Sequence, residues 1–291
     1  MSDSSRSTGR STPTPPAGRP GYLVAIGGAE DKSQELIILK RVLELAPGET
    51  LDVVVIGTAS GIPDQVLPTY RDAFTRAGAR CVHTLDIRRR SDAGEAEHLE
   101  VIRRAEAIFF TGGDQLRLTH VLGGSPLLEA IRERYEAGAV VAGTSAGAVA
   151  LSTTMIYNGA AVDALRKGGV HMASGLDFVD GLVIDSHFLA RGRFTRLMEV
   201  GAANPEQLGV GLAEDAAVVI HPNRILEAVG SGHVILVDSR DVMSSNITEQ
   251  EEGEPVAVEN MIFHALIDGH GFDVDARRYL APAELRMRLQ R

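Results

Sequence analysis

Ser145 stands in Gly143-Thr144-Ser145-Ala146-Gly147, between the apolar run Val140-Val141-Ala142 and the helix-compatible Ala148-Val149-Ala150-Leu151. A buried strand, a sharp Gly-x-Ser-x-Gly turn and a helix form a nucleophile elbow. The two glycines leave room where strand and helix cross, and the serine sits where free helix N–H groups favour developing negative charge. A serine hydroxyl is a weak nucleophile at neutral pH, so it needs a base within hydrogen-bond reach and an acceptor that orients that base.

Of the nine histidines, His187 is best placed, because it closely follows the strand-like run 181–185. His171 is a weaker rival. Three carboxylates compete as the orienting acid. Glu214 follows the run 209–212 and is favoured, Asp163 comes second, and Asp185 lies two residues before the histidine. For the oxyanion, the elbow supplies the N–H of Ala146. The Gly112-Gly113-Asp114 turn can supply another, from Gly113 or Asp114. Arg191, Arg193 and Arg196 follow His187 closely, and their rigid guanidinium forks suit a carboxylate clamp.

These residues need a scaffold that brings strand ends together. Apolar runs at 22–26, 51–56, 81–85, 107–110 and 140–142 alternate with helical patterns. Ser33 is read as the cap of the first helix, and Pro126 after Ser125 opens a later one. Such alternation predicts an α/β fold, with a mostly parallel sheet covered by helices on both faces. Ligands gather at the carboxyl ends of such strands. The three glycine loops, at 27–28, 112–113 and 143–147, should therefore meet on one rim. Residues 155–175 read as a long excursion. The runs 216–221, 225–229 and 234–237 read as extra antiparallel strands in the C-terminal part.

Composition excludes several classes. A formal charge of −10 argues against nucleic acid as a main partner. No apolar run reaches the roughly 18 residues of a membrane span. Cys81 is the only cysteine and is read as a core residue. No His, Cys or carboxylate cluster has ligand spacing, so neither a metal nor a cofactor is expected. Residues 1–20, rich in Ser, Thr, Pro, Gly and Arg, read as a disordered tail, and 21–291 as one domain. The tail carries no secretory h-region, which makes the cytoplasm the default address.

Four motifs in order resemble the cyanophycinases: Gly27-Gly28-Ala29-Glu30-Asp31-Lys32, Phe110-Thr111-Gly112-Gly113-Asp114-Gln115, Gly143-Thr144-Ser145-Ala146-Gly147-Ala148, and Ile184-Asp185-Ser186-His187-Phe188 with its continuation to Arg193. That family is related to aspartyl dipeptidases and has a glutamine amidotransferase-like fold. The resemblance implies a serine exopeptidase that cuts cyanophycin, a poly-aspartate carrying arginine on each side chain by an isopeptide bond, into β-aspartyl-arginine dipeptides. It also implies a homodimer. It casts Ser145 as nucleophile, His187 as base and Glu214 as orienting acid, with Asp163 as the candidate from the dipeptidase relatives. Gln115, Asp185, Ser186, Arg191, Arg193 and Arg196 are expected to line the substrate pocket, with Asp185 or Asp114 meeting a guanidinium. Ser186 departs from the family pattern, which has glutamine there, and that bears on fine specificity. An α-aspartyl dipeptidase and a silent binding protein on the same scaffold are the competing readings.

Overall fold

Alternate residues of a strand point to opposite faces, and in the first five strands both sets are mostly apolar, save in the third, an edge strand that carries His83 and Thr84. These strands are β1 (Leu23–Ile26), β2 (Asp52–Ile56), β3 (Cys81–Leu85), β4 (Ala107–Phe110) and β5 (Val140–Thr144). In the computed structural model, which describes residues 20–48, 50–159 and 165–290, they run parallel in the order β1-β5-β4-β2-β3. Val24, Ile26, Val53, Val55 and Phe109 pack under α1 (Ile37–Glu44) and α2 (Pro63–Ala77) through Leu39, Val42, Tyr70 and Phe74. On the other face Leu23, Ala25, Val54, Ile56, Ile108 and Phe110 meet α3 (Ala96–Arg104), α4 (Gln115–Leu122) and α5 (Pro126–Glu136). Burial on both faces is why these strands read as continuous apolar runs.

Past β5 come the one-turn helix α6 (Ala146–Val149) and a hairpin of β6 (Thr154–Gly159) and β7 (Val170–Ser174). Most of the described part of the expected long excursion is thus paired strand. The chain continues through β8 (Leu182–Asp185), α7 (Phe194–Ala203), β9 (Leu208–Leu212), β10 (Ala216–Ile220), β11 (Ile225–Gly230) and β12 (Val234–Asp238). β10 and β11 extend the central sheet antiparallel from β1, followed by Gly271–Asp273 and Arg278–Leu280. β12 does not follow them. It joins β8, β9 and Ile262–Leu266 in a second, four-stranded sheet. One face of that sheet adds Leu208, Val210, Leu212 and Leu236 to the larger core, and the other packs Val183 and Val237 against Leu197 and Val200 of α7. No helix among the described residues is long and apolar enough to cross a membrane.

Two local readings need correction. Ser33 does not cap α1. The N-cap is Leu36 in a left-handed conformation, φ 56°. The Asp31 carboxylate instead accepts the N–H groups of Ser33, Gln34, Glu35 and Leu36, a tighter turn than helical phasing suggests. Cys81 is only half-buried, because it starts an edge strand, and its Sγ lies 3.2 Å from His83 Nε2. The tail at 1–20 falls, except for Pro20, outside the described residues.

Candidate active site

β5 ends on Thr144, and the chain turns at Ser145 with φ 51° and ψ −111° before entering α6. A non-glycine residue with positive φ is uncommon and stores strain of roughly 1–3 kcal/mol. The turn closes only because Gly143 and Gly147 lack side chains: a Cβ on Gly143 would lie 2.4 Å from the carbonyl carbon of Gly147. The Ser145 N–H donates to Ile26 O at 2.9 Å, tying the elbow to β1.

His187 arrives from the other sheet. β8 ends at Asp185, and two residues on His187 turns back with φ 49°, its N–H donating to Gly27 O at 2.9 Å. Its Nε2 stands 3.1 Å from Ser145 Oγ. Its Nδ1 is 2.8 Å from Oε1 of Glu214, which follows β9 and is 47% exposed. An ionised carboxylate can only accept, so Nδ1 carries the proton and Nε2 is left to accept from the serine hydroxyl. Gly28, with φ 104°, floors the imidazole: a Cβ there would sit 2.5 Å from His187 Cε1. Asp163 lies outside the described residues.

The Ala146 N–H opens α6, where helix geometry leaves it no partner. A Cβ on Gly112 would come within 3.3 Å of Ser145 Cβ, so the turn after β4 lies against Ser145. The N–H of Gly113 is free of any backbone acceptor among the described residues. Asp114 is a correction. Its N–H donates to Ala59 O at 2.9 Å, and its Oδ1 caps α4 by accepting from Leu116 and Arg117 N–H. Its N–H is committed to Ala59 and so is not available to an oxyanion.

With this geometry in view, the comparisons with known proteins are decisive. Residues 23–227 match peptidase family S51. The chain is 37% identical over 259 residues to the cyanophycinase of Synechococcus elongatus, covering 89% of this chain and 80% of that protein. It is 36% identical over 250 residues to the cyanophycinase of Geminocystis herdmanii, covering 86% and 91%. This chain belongs to peptidase family S51. The fold is also that of a crystallised peptidase from an acI-B1 actinobacterium, with a TM-score of 0.64 at 22% identity over 88% of this chain and 98% of that one.

In this S51 peptidase the residues expected to line the substrate pocket divide by burial. Asp185 is 1% exposed. Its Oδ1 accepts from Arg193 Nη1 at 3.0 Å, and its Oδ2 forms an ion pair with Arg196 Nε at 3.1 Å without hydrogen-bond alignment. Burial pushes the Asp185 carboxyl up, an effect the two arginines offset only in part, and burial likewise pulls the Arg196 guanidinium down. Asp185 and Arg196 are therefore not free to meet a substrate, because leaving either buried charge unpaired would be costly. Ser186 is buried too, and its carbonyl accepts from Arg193 at 2.7 Å. Gln115 donates to the carbonyls of Ile156 and Tyr157, tethering the β6 strand. Arg191 is exposed.

The cleft that reaches Ser145 and His187 runs the other way, toward α2, with a volume of about 440 Å³. There the Glu30 carboxylate, with no exposed side-chain surface, accepts from Thr144 Oγ1 at 2.7 Å and from the Tyr70 hydroxyl, and pairs with Lys32 Nζ at 3.2 Å. Burial, then the Glu30 charge, pushes the Tyr70 phenol well above its ordinary range, which keeps it a donor. Glu30, Lys32 and Thr144 fall inside motifs visible in the sequence, but with no role attached. Tyr70 reads there as a helix core position.

Proposed function

We propose that this S51 peptidase is a cyanophycinase that works through an acyl-enzyme, with Ser145, His187 and Glu214 as its triad. Ser145 Oγ attacks the scissile carbonyl while its proton passes to His187 Nε2. Glu214 holds the Nδ1–H and stabilises the imidazolium that forms. The N–H groups of Ala146 and Gly113 face the charge that develops on the carbonyl oxygen. The imidazolium protonates the departing amine, giving a β-aspartyl-arginine dipeptide. Water, deprotonated by the same nitrogen, then frees the serine.

The observation that carries this reading is the continuous Glu214–His187–Ser145 chain, at 2.8 and 3.1 Å, in a protein 37% identical to a cyanophycinase. The reading includes residues 21–291 acting as one peptidase domain, and, as the family resemblance implies, a homodimer in the cytoplasm. Sedimentation of the full chain tests the oligomeric state. Digestion of purified cyanophycin followed by mass spectrometry tests the activity. The expected product is the dipeptide, and Ser145→Ala should lower kcat about a millionfold. Wild-type release of free arginine instead would reject the reading.

A further inference from the structure

Lys32 is the group in the catalytic cleft that the mechanism leaves unused. Two residues lining that cleft carry formal charge, Glu30 and Lys32. Glu30 shows no side-chain surface to solvent, whereas the Lys32 side chain is 27% exposed. Among the residues lining the cleft, Lys32 is therefore the one ionised side chain with surface to offer a ligand. Its ammonium has three donors. Nζ lies 3.0 Å from Glu30 O and 3.2 Å from Glu30 Oε1, and no further protein acceptor holds it.

The lysine is also held in place. Its ammonium rests 5.2 Å from the Tyr70 ring centroid. The Asp31 carboxylate gathers four consecutive N–H groups of the following turn, and the Asp31 N–H donates to Asp215 Oδ1. The Arg76 guanidinium donates to the Lys32 carbonyl. A donor fixed in this way loses little freedom when it binds. Glu30 ties the lysine to the nucleophile: it accepts from the hydroxyl of Thr144, the residue before Ser145. On the opposite flank, Arg193 and Arg196 are already turned onto Asp185.

We propose that Lys32 is the carboxylate-recognition group of this active site. It takes the free arginine α-carboxylate of the substrate unit in the cleft, and Glu30 is the positioning residue that sets Lys32 relative to Ser145. The identity of the ligand rests on the cyanophycinase reading; the carboxylate preference does not.

The test protects Ser145 from a small uncharged serine-reactive phosphonate, using β-aspartyl-arginine or its arginine α-carboxamide. Each variant's unprotected labelling rate serves as its own reference. In the wild type the carboxylate should protect at about ten- to a hundredfold lower concentration than the carboxamide, the range expected of a hydrogen bond to a charged group. Lys32→Met should bring that ratio close to one, and Lys32→Arg should restore most of it. A ratio that Lys32→Met leaves unchanged overturns the subsite, as does failure of the dipeptide to protect the wild type. If both probes weaken equally in Lys32→Met, the lysine is structural and the proposal falls. Polymer digestion is read separately. Intact polymer with the ratio preserved removes the cyanophycinase reading and keeps the subsite, while digestion with an insensitive ratio does the reverse.

Discussion

Two flanks of Ser145 hold the same chemistry in different surroundings. On one, Asp185 lies between Arg193 and Arg196. On the other, Glu30 lies beneath Lys32. Both carboxylates are buried, but their cations differ in what is left over. Arg196 is itself buried against its partner, while Lys32 keeps part of its surface in the cleft beside Ser145. The difference teaches that residue type does not decide whether a cation serves a substrate or the fold. The depth of the partner and the neutral donors around it decide. Glu30 has hydroxyls from Tyr70 and Thr144 to share its charge, which leaves the lysine a hydrogen bond to spare. Asp185 has only its own neighbour's N–H beside the two arginines.

The comparison breaks if the Asp185 flank proves soft. Asp185→Asn leaves Arg196 buried without its partner and should cost about 3–5 kcal/mol in denaturant unfolding. The acid dependence carries a sign. The folded carboxyl is raised, so the stability it confers is whole below the ordinary value of 3.8 and shrinks as pH rises through its folded value. The gap between wild type and Asp185→Asn should therefore narrow as pH climbs from 3.8 toward the folded value and stay level beyond it.

Next in size is a change at the shared floor. Gly28→Ala places a methyl where the His187 ring now sits and demands φ 104° of an alanine. A displacement of this kind should lower kcat about a hundredfold, with KM moving less, as steady-state kinetics on the polymer would reveal. Glu30→Gln sharpens the contrast from the other side. It should lower kcat/KM about tenfold, by loosening Lys32 and the elbow together. It should cost less unfolding free energy than Asp185→Asn, because the Tyr70 and Thr144 hydroxyls can reorient toward a carboxamide.

The smallest effect belongs to Asp31→Asn. Four backbone N–H groups hold the Asp31 carboxyl well below 3.8. Its contribution is thus present above 3.8 and lost as pH falls toward the folded value. Thermal melts of wild type and Asp31→Asn should converge in acid, the opposite direction to Asp185→Asn.

Much of the scaffold was legible along the chain. β1, β2, β4 and β5 are buried on both faces, so each is a mostly apolar run. The hairpin of β6 and β7 was not, because Thr154–Gly159 buries only Met155 and Ile156 and Val170–Ser174 has no buried residue, so neither carries such a run. The second sheet was equally hidden, since β12 reads locally like β10 and β11 and only its partners differ. Asp114 and Asp185 look like available acids in any linear reading. One is spent on a helix cap and the other on two arginines eight and eleven residues downstream.

Residue order alone determined the parallel core, the elbow and the short roll of acids and histidines able to serve it. All of these rest on local sterics and on strand or helix periodicity, which act over a few residues. Only the tertiary structure decided that the imidazole and Glu214 come from a sheet other than that of Ser145, that Arg196 is turned inward, and that Lys32 reaches the cleft. The placement of the imidazole, Glu214 and Glu30 depends on contacts between residues 27 to 114 apart, and that of Arg196 on burial, which no local pattern encodes because it is set by what the rest of the chain packs on top.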